Sequence, residues 1–337
     1  MTSRELVKRT LEFSSPARIP RQLWFFPWAS DHYPEELAQI QKRFPDDLLT
    51  SPSFYKKMPK TVGDEYSPGT YIDEWGCIFK NRQKGIKGEI KEPLLKNWGE
   101  LDKVKVPRER LSLDLEKVND FCRSHDQFIL SRSCARPFEQ LQFIRKPANL
   151  FLDLADRPTE LFCLIERIHQ FYCEEMELWA RTDVDALVFS DDWGGQNSLL
   201  ISPALWRKMF KPLYEDYVDI ARRQGKYIFM HSDGYIMDII PDLVEMGVDA
   251  LNSQLFCMNI EELGRRFKGT MTFWGEIDRQ YLLPYGTTEE VRAAVRKVKD
   301  SLYQDGGVIA QCEFDVGAKP ENVAAVFLAW EELSYSL

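Results

Sequence analysis

A histidine and an aspartate two positions apart stand where an apolar run turns polar: Tyr227-Ile228-Phe229-Met230-His231-Ser232-Asp233-Gly234. The run reads as a buried parallel strand surfacing into a loop. Strand side chains alternate, so His231 and Asp233 project to one side, and if Phe229 faces a barrel interior they do too. Other apolar runs end in the same way, in Asp191 and Asp192, in Gln254, in Glu276 and Asp278, and in Cys312 with Glu313. Buried carboxylates are costly unless paired or bound to a cation, so such a ring calls for counter-charge. Arg132, Arg136 and Arg145 are candidates for it, and so is a metal. Imidazole, thiolate and carboxylate form the ligand set of zinc, and three protein ligands with an open fourth position form its catalytic arrangement. Such an ion lowers the pKa of a bound water or thiol and makes a nucleophile at neutral pH.

Each residue also has a plainer reading. His231 and Asp233 could be an ordinary hydrogen-bonded pair, Cys312 a packed thiol, and Glu276 a helix cap or an arginine's partner. Trp24, Phe26, Trp28, Trp193, Phe256 and Trp274 fall near the same strand ends, as core or as walls of a pocket for a flat substrate.

The elements that would position these groups alternate along the chain. Residues 1–18 read as a helix and Ile19–Phe26 as a first strand. A helix over 35–44 and a short strand over 47–52 follow. Further strands are expected at 128–134, 186–192, 227–234, 249–254, 270–276 and 307–313, with helices between and after them, among them Pro203 to Gln224. Eight strands mostly alternating with helices predict an α/β fold, a (β/α)8 TIM-type barrel with an N-terminal helical extension. An open doubly wound sheet is the rival, but no Gly-x-Gly-x-x-Gly follows the first strand. About 62–106 is rich in Pro, Gly and Lys. Its segments Trp75–Lys80 and Glu89–Lys91 predict a β-hairpin insertion too short to enclose a core, within one domain spanning 1–337.

Composition narrows the function. With 44% hydrophobic and 29% charged residues the chain is an ordinary globular one, and a net charge of -9 leaves no basic excess for nucleic acid. No apolar run reaches eighteen residues and the N-terminus has no signal core, so no membrane association and a cytoplasmic location are expected. The seven cysteines (Cys77, Cys122, Cys134, Cys163, Cys173, Cys257, Cys312) include no Cys-x-x-Cys pair and are expected to be reduced and mostly buried.

Several stretches together resemble the uroporphyrinogen decarboxylase superfamily over nearly the whole chain. They are Asp73-Glu74-Trp75-Gly76, Asp191-Asp192-Trp193-Gly194-Gly195-Gln196, His231-Ser232-Asp233-Gly234, Ile277-Asp278-Arg279-Gln280 with Leu283-Pro284-Tyr285-Gly286-Thr287, and Cys312-Glu313 ahead of Asn322. The resemblance implies an α/β barrel and one of two chemistries. True uroporphyrinogen decarboxylases carry Arg-Gln-Ala-Gly-Arg near the N-terminus and hold a substrate of eight carboxylates. Here Arg21-Gln22-Leu23-Trp24-Phe25 lacks the second arginine. An acidic mouth would also repel a polyanion, by about 4 kcal/mol per contact at ~4 Å and an effective dielectric of ~20. The other branch, similar to methylcobamide:coenzyme M methyltransferases, holds zinc by His-x-Cys and a distant Cys. His231 and Cys312 match, and Asp233 takes the place of the intervening cysteine.

That branch implies a zinc-dependent methyltransferase moving a methyl group between a small substrate and a corrinoid protein, with cobalamin carried by that partner. His231, Cys312 and either Asp233 or Glu276 would hold zinc. Asp191, Glu276 and Asp233 would be catalytic, and Trp24, Trp193, Gln196, Gln254 and Trp274 would meet substrate. The alternatives are a metal-free decarboxylase in which Asp191 stabilises a protonated pyrrole-like ring, and a non-catalytic barrel that binds a ligand or a corrinoid protein.

Overall fold

The computed structural model describes residues 1–133 and 135–334. Among the described residues eleven strands occur in chain order: β1 (Arg21–Phe25), β2 (Leu48–Thr50), β3 (Gly69–Ile72), β4 (Ile78–Asn81), β5 (Glu89–Ile90), β6 (Phe128–Leu130), β7 (Ala186–Ser190), β8 (Tyr227–Ser232), β9 (Ala250–Ser253), β10 (Thr272–Trp274) and β11 (Val308–Phe314). Eight of them form one parallel sheet in the order β1-β11-β10-β9-β8-β7-β6-β2. The two ends of this sheet approach each other where the Asp47 amide donates to the Arg21 carbonyl at 2.9 Å. The result is a nearly closed (β/α)8 TIM barrel surrounded by helices.

Two apolar layers show which way each strand residue points. Leu48, Phe128, Leu130, Ala186, Phe229, Ala250, Trp274 and Ile309 pack together inside the barrel. Their chain neighbours Ile129, Leu187, Ile228, Leu251, Phe273, Val308 and Ala310 pack outward against the helices. Val7 and Leu11 belong to the interior cluster, so the helix Ser3–Leu11 closes the floor of the barrel with its apolar face. Its start is fixed by a capping box between Thr2 and Glu5.

The insertion holds one strand more than its sequence suggests. β3, β4 and β5 form an antiparallel three-stranded sheet, with Gly69–Ile72 pairing against Ile78–Asn81. It docks on the barrel's helices through Phe79 against Phe143 and Trp75 against Phe171. Gly85 lies against the Trp28 backbone, where an added Cβ would fall 2.6 Å from the Trp28 Cα. The helix expected over 203–224 is two helices, Pro203–Met209 and Lys211–Arg223, because Pro212 cannot continue the first ladder. β6 is shorter than expected, and Cys134 lies outside the described residues. Cys77, Cys122, Cys163, Cys173, Cys257 and Cys312 are free thiols; Cys163 is exposed, and Cys173 and Cys257 are half-buried, against the expectation of burial. Among the described residues no helix is long and apolar enough to cross a membrane.

Candidate functional site

Phe229 lies inside the barrel, so alternation along β8 brings His231 inward at the strand's C-terminal end. Asn252 lies inward on β9 for the same reason, two residues beyond Ala250. Its Oδ1 is 2.6 Å from His231 Nδ1, while its own amide nitrogen donates to the Trp274 carbonyl. The amide is therefore oriented with oxygen toward the ring, so Nδ1 carries a proton and Nε2 is turned to the mouth.

Two carboxylates meet that nitrogen. Asp192 Oδ1 is 3.5 Å from His231 Nε2 and Asp233 Oδ1 is 3.8 Å away. The loops carrying them cross at two glycines: an added Cβ on Gly194 would fall 2.4 Å from the Gly234 carbonyl carbon, and Gly234 has a φ of +77°. Only glycine at both positions permits this approach. It lets the Asp233 amide donate to Asp192 Oδ1 at 3.0 Å, and the Trp193 amide to Ser232 Oγ at 3.1 Å. Burial pulls the His231 pKa down, but Asp192 and Asp233, helped by the Asn252 hydrogen bond, outweigh it and the net shift is upward.

A second cluster adjoins the first. Arg279 donates to Asp233 Oδ2 and to Glu313 Oε1 (2.6 Å), and its Nε lies 3.3 Å from Glu276 Oε2. Burial pushes Glu276 up to about 8, with Asp233 and Glu313 adding to the rise and Arg279 opposing it. Burial lowers the Arg279 pKa, yet Glu276, Glu313 and Asp233 together drive it upward. Across the mouth, burial also raises Glu139, in the first turn of the helix Pro137–Arg145. Arg136 opposes that rise and Asp192 reinforces it. Beside Arg279 runs a narrow cleft of about 40 Å³, lined by Gln196, Gln254, Phe256, Cys257, Glu276 and Tyr281.

The expected site residues divide into those that converge and those that do not. His231, Asp233 and Glu276 are at the mouth. Trp24 is too, its ring 5.7 Å from that of His231 and edge-on to Trp274 at 5.0 Å, while Trp274 Nε1 donates to Gln22 Oε1 beneath. Gln196 and Gln254 line the cleft. Cys312, expected as a ligand, packs in the outer layer with Ala310 and Phe314. The β1–β11 register agrees, since Leu23 opposite Cys312 faces outward and Trp24 opposite Glu313 faces inward. Asp191, expected as catalytic, points away from the mouth as well. It is fully buried, accepting from the Phe138 and Glu139 amides (3.0 and 2.7 Å) and from the Tyr214 hydroxyl (2.6 Å). There it caps the N-terminus of the helix Pro137–Arg145. Trp193, expected in the pocket wall, is core: it stacks on Phe138 at 3.9 Å and donates to Tyr214. Arg145 forks onto Asp153 instead of serving the mouth.

Sequence reading assigned no such role to Asn252, Arg279 or Glu139. An amide inside an apolar strand run and an arginine three residues after Glu276 were the signals that could have found the first two.

His231, Asp192 and Asp233 can each offer one ligand atom, all within 4.8 Å of one another. Atoms bound to one ion at about 2.0–2.2 Å sit roughly 3–3.5 Å apart, so the group must draw together by up to about 1.3 Å to hold one. Asp233 Oδ1 supports that fit: it is buried and, among the described residues, has no hydrogen-bond partner. An oxygen, nitrogen, oxygen donor set is harder than the cysteine-containing one and suits a divalent cation of borderline to hard character.

A family model described as Uroporphyrinogen decarboxylase (URO-D) matches residues 71–333. Among solved structures, a methyltransferase from Methanosarcina mazei aligns over 99% of this chain and 99% of its own, at 13% identity and a TM-score of 0.69. A B12-independent methionine synthase from Shewanella sp. W3-18-1 aligns over 91% of this chain and 87% of its own, at 13% identity and a TM-score of 0.48. No curated protein matches. At such identity the first of these structures supports the barrel and nothing finer, whereas the family model spans most of the sequence, both mouth clusters included: the chain belongs to the uroporphyrinogen decarboxylase family.

Proposed function

We propose that the protein is a cytoplasmic, metal-dependent methyltransferase that moves a methyl group between a small substrate and cobalamin carried by a separate corrinoid protein. The observation that carries this reading is the convergence of His231 Nε2 with one oxygen each from Asp192 and Asp233 at the C-terminal mouth of the barrel. Those three would hold zinc or a similar divalent ion, with Asp192 in the place that Cys312 was expected to fill. The ion, when bound, supplies Lewis acidity to the sulfur or oxygen that bears or receives the methyl group.

The chain's own groups do the rest. Asn252 holds the His231 ring in one tautomer and orientation. Trp24 walls the mouth and Trp274 floors it. Glu276, its carboxyl raised to about 8 by burial, lines the cleft where it can take up or release a proton. Decarboxylation of a polycarboxylate, the other chemistry of the family, is opposed by the carboxylates of Asp192, Asp233 and Glu313 around one mouth.

Elemental analysis of the purified protein together with His231→Ala tests the proposal. The native chain should carry about one divalent ion and demethylate methylcobalamin in the presence of a thiol acceptor, read from the cobalamin absorbance, and H231A should lose both. A metal-free native protein, with turnover untouched by H231A, would sink it.

A further inference from the structure

The two oxygens of Asp233 have different surroundings. Oδ2 accepts from Arg279, whereas Oδ1 is buried, has no hydrogen-bond partner among the described residues and lies 3.8 Å from His231 Nε2. Arg279 cannot readily swing aside. Its other nitrogens are held by Glu313 at 2.6 Å and Glu276 at 3.3 Å, two carboxyls whose side chains are 6% and 3% exposed. A carboxylate free to rotate can offer both oxygens to an ion, but one with an oxygen tied to a guanidinium offers one. The fixed fork of an arginine suits this task, since its nitrogens are spread over a rigid plane and reach three separate carboxyl groups, whereas a lysine's three donors radiate from one nitrogen.

We propose that Arg279 is a positioning residue that restricts Asp233 to single-oxygen ligation, keeping a coordination position open for substrate while its charge weakens the hold on the ion. This rests on the metal-binding reading above. A merely structural role makes the opposite prediction, because loss of Arg279 would then only disorder Asp233 and loosen the ion.

Titration of metal-stripped protein with Co(II), followed by visible absorption, separates the two. Four-coordinate Co(II) absorbs more strongly than five- or six-coordinate Co(II). The native chain should bind one Co(II) with the stronger type of spectrum. Arg279→Met should bind at least tenfold more tightly, with the absorption at least halved as the second Asp233 oxygen joins. Arg279→Lys keeps the charge and carries the test if the methionine variant does not fold: its affinity should stay within threefold of native while its absorption also falls. An R279M that binds with unchanged absorption or more weakly overturns the inference, as does an R279K spectrum identical to native, and either result leaves the metal reading intact. A native chain that takes up no Co(II) overturns both.

Discussion

His231 Nδ1 and Asn252 Oδ1 lie 2.6 Å apart, and the Trp274 carbonyl fixes which end of the Asn252 amide faces the ring. Two adjacent strands thereby set the tautomer of the one imidazole at the mouth. Replacing Asn252 by leucine should leave the fold in place and weaken ion binding by about 10–100-fold, the usual cost of removing a ligand's orienting partner. Equilibrium dialysis with zinc would measure it, and an N252L affinity equal to native would show that the ring needs no such support.

The direction of Cys312 makes a separate test. Its thiol sits in the outer layer and burial pushes its pKa far above the ordinary value. Cys312→Ala should cost about 1 kcal/mol of stability, as expected for a small buried group, and leave metal stoichiometry at the native value. Asp192→Asn should do the reverse, holding stability and losing the ion. Loss of metal in C312A would mean that the sulfur reaches the mouth after all.

Trp193 and Trp24 were expected to serve alike and should now behave differently. Trp193 is wholly buried among Phe138, Trp206, Phe210 and Tyr214, so Trp193→Ala should destabilise by about 3–5 kcal/mol. Trp24 is half-buried at the mouth, and Trp24→Ala should lose activity with a much smaller change in thermal midpoint. Equal losses of stability in the two variants would contradict the assignment.

Asp46 predicts a pH dependence away from the site. Burial pushes its carboxyl from 3.8 up to about 7, with the Leu23 amide opposing and Asp47 adding to the rise. A carboxyl raised on folding binds its proton more tightly in the native state. Its contribution is therefore complete below about pH 4 and is lost as pH rises through 7. Asp46→Asn keeps an acceptor for the Leu23 amide, so it should match native stability near pH 4 and exceed it at pH 8. Thermal midpoints measured across that range, if parallel for the two proteins, would show that Asp46 titrates normally.

Much of the fold was legible in the sequence. The apolar runs and their turn residues mark the barrel strands and most of the helices between them, because buried parallel strands and helices impose different periods on hydrophobicity. At the end of β8 the inward pair was legible too, since Phe229 and His231 share one parity with Asp233 just beyond the strand. What the sequence left open was phase in the other strands. β11 is buried at all seven positions, so nothing in Val308-Ile309-Ala310-Gln311-Cys312-Glu313-Phe314 says whether Cys312 or Glu313 looks into the barrel. Adjacent Asp191 and Asp192 pose the same choice, one caps a helix and the other reaches His231. Barrel closure and strand register make these choices, because a shift of one residue exchanges every inward side chain for its neighbour. The pairing of Arg279 with Asp233 and Glu313, 46 and 34 positions away, is likewise a product of closure, as no local pattern along the chain encodes which distant charges will share a buried space, whereas Glu276 lies only three residues before it.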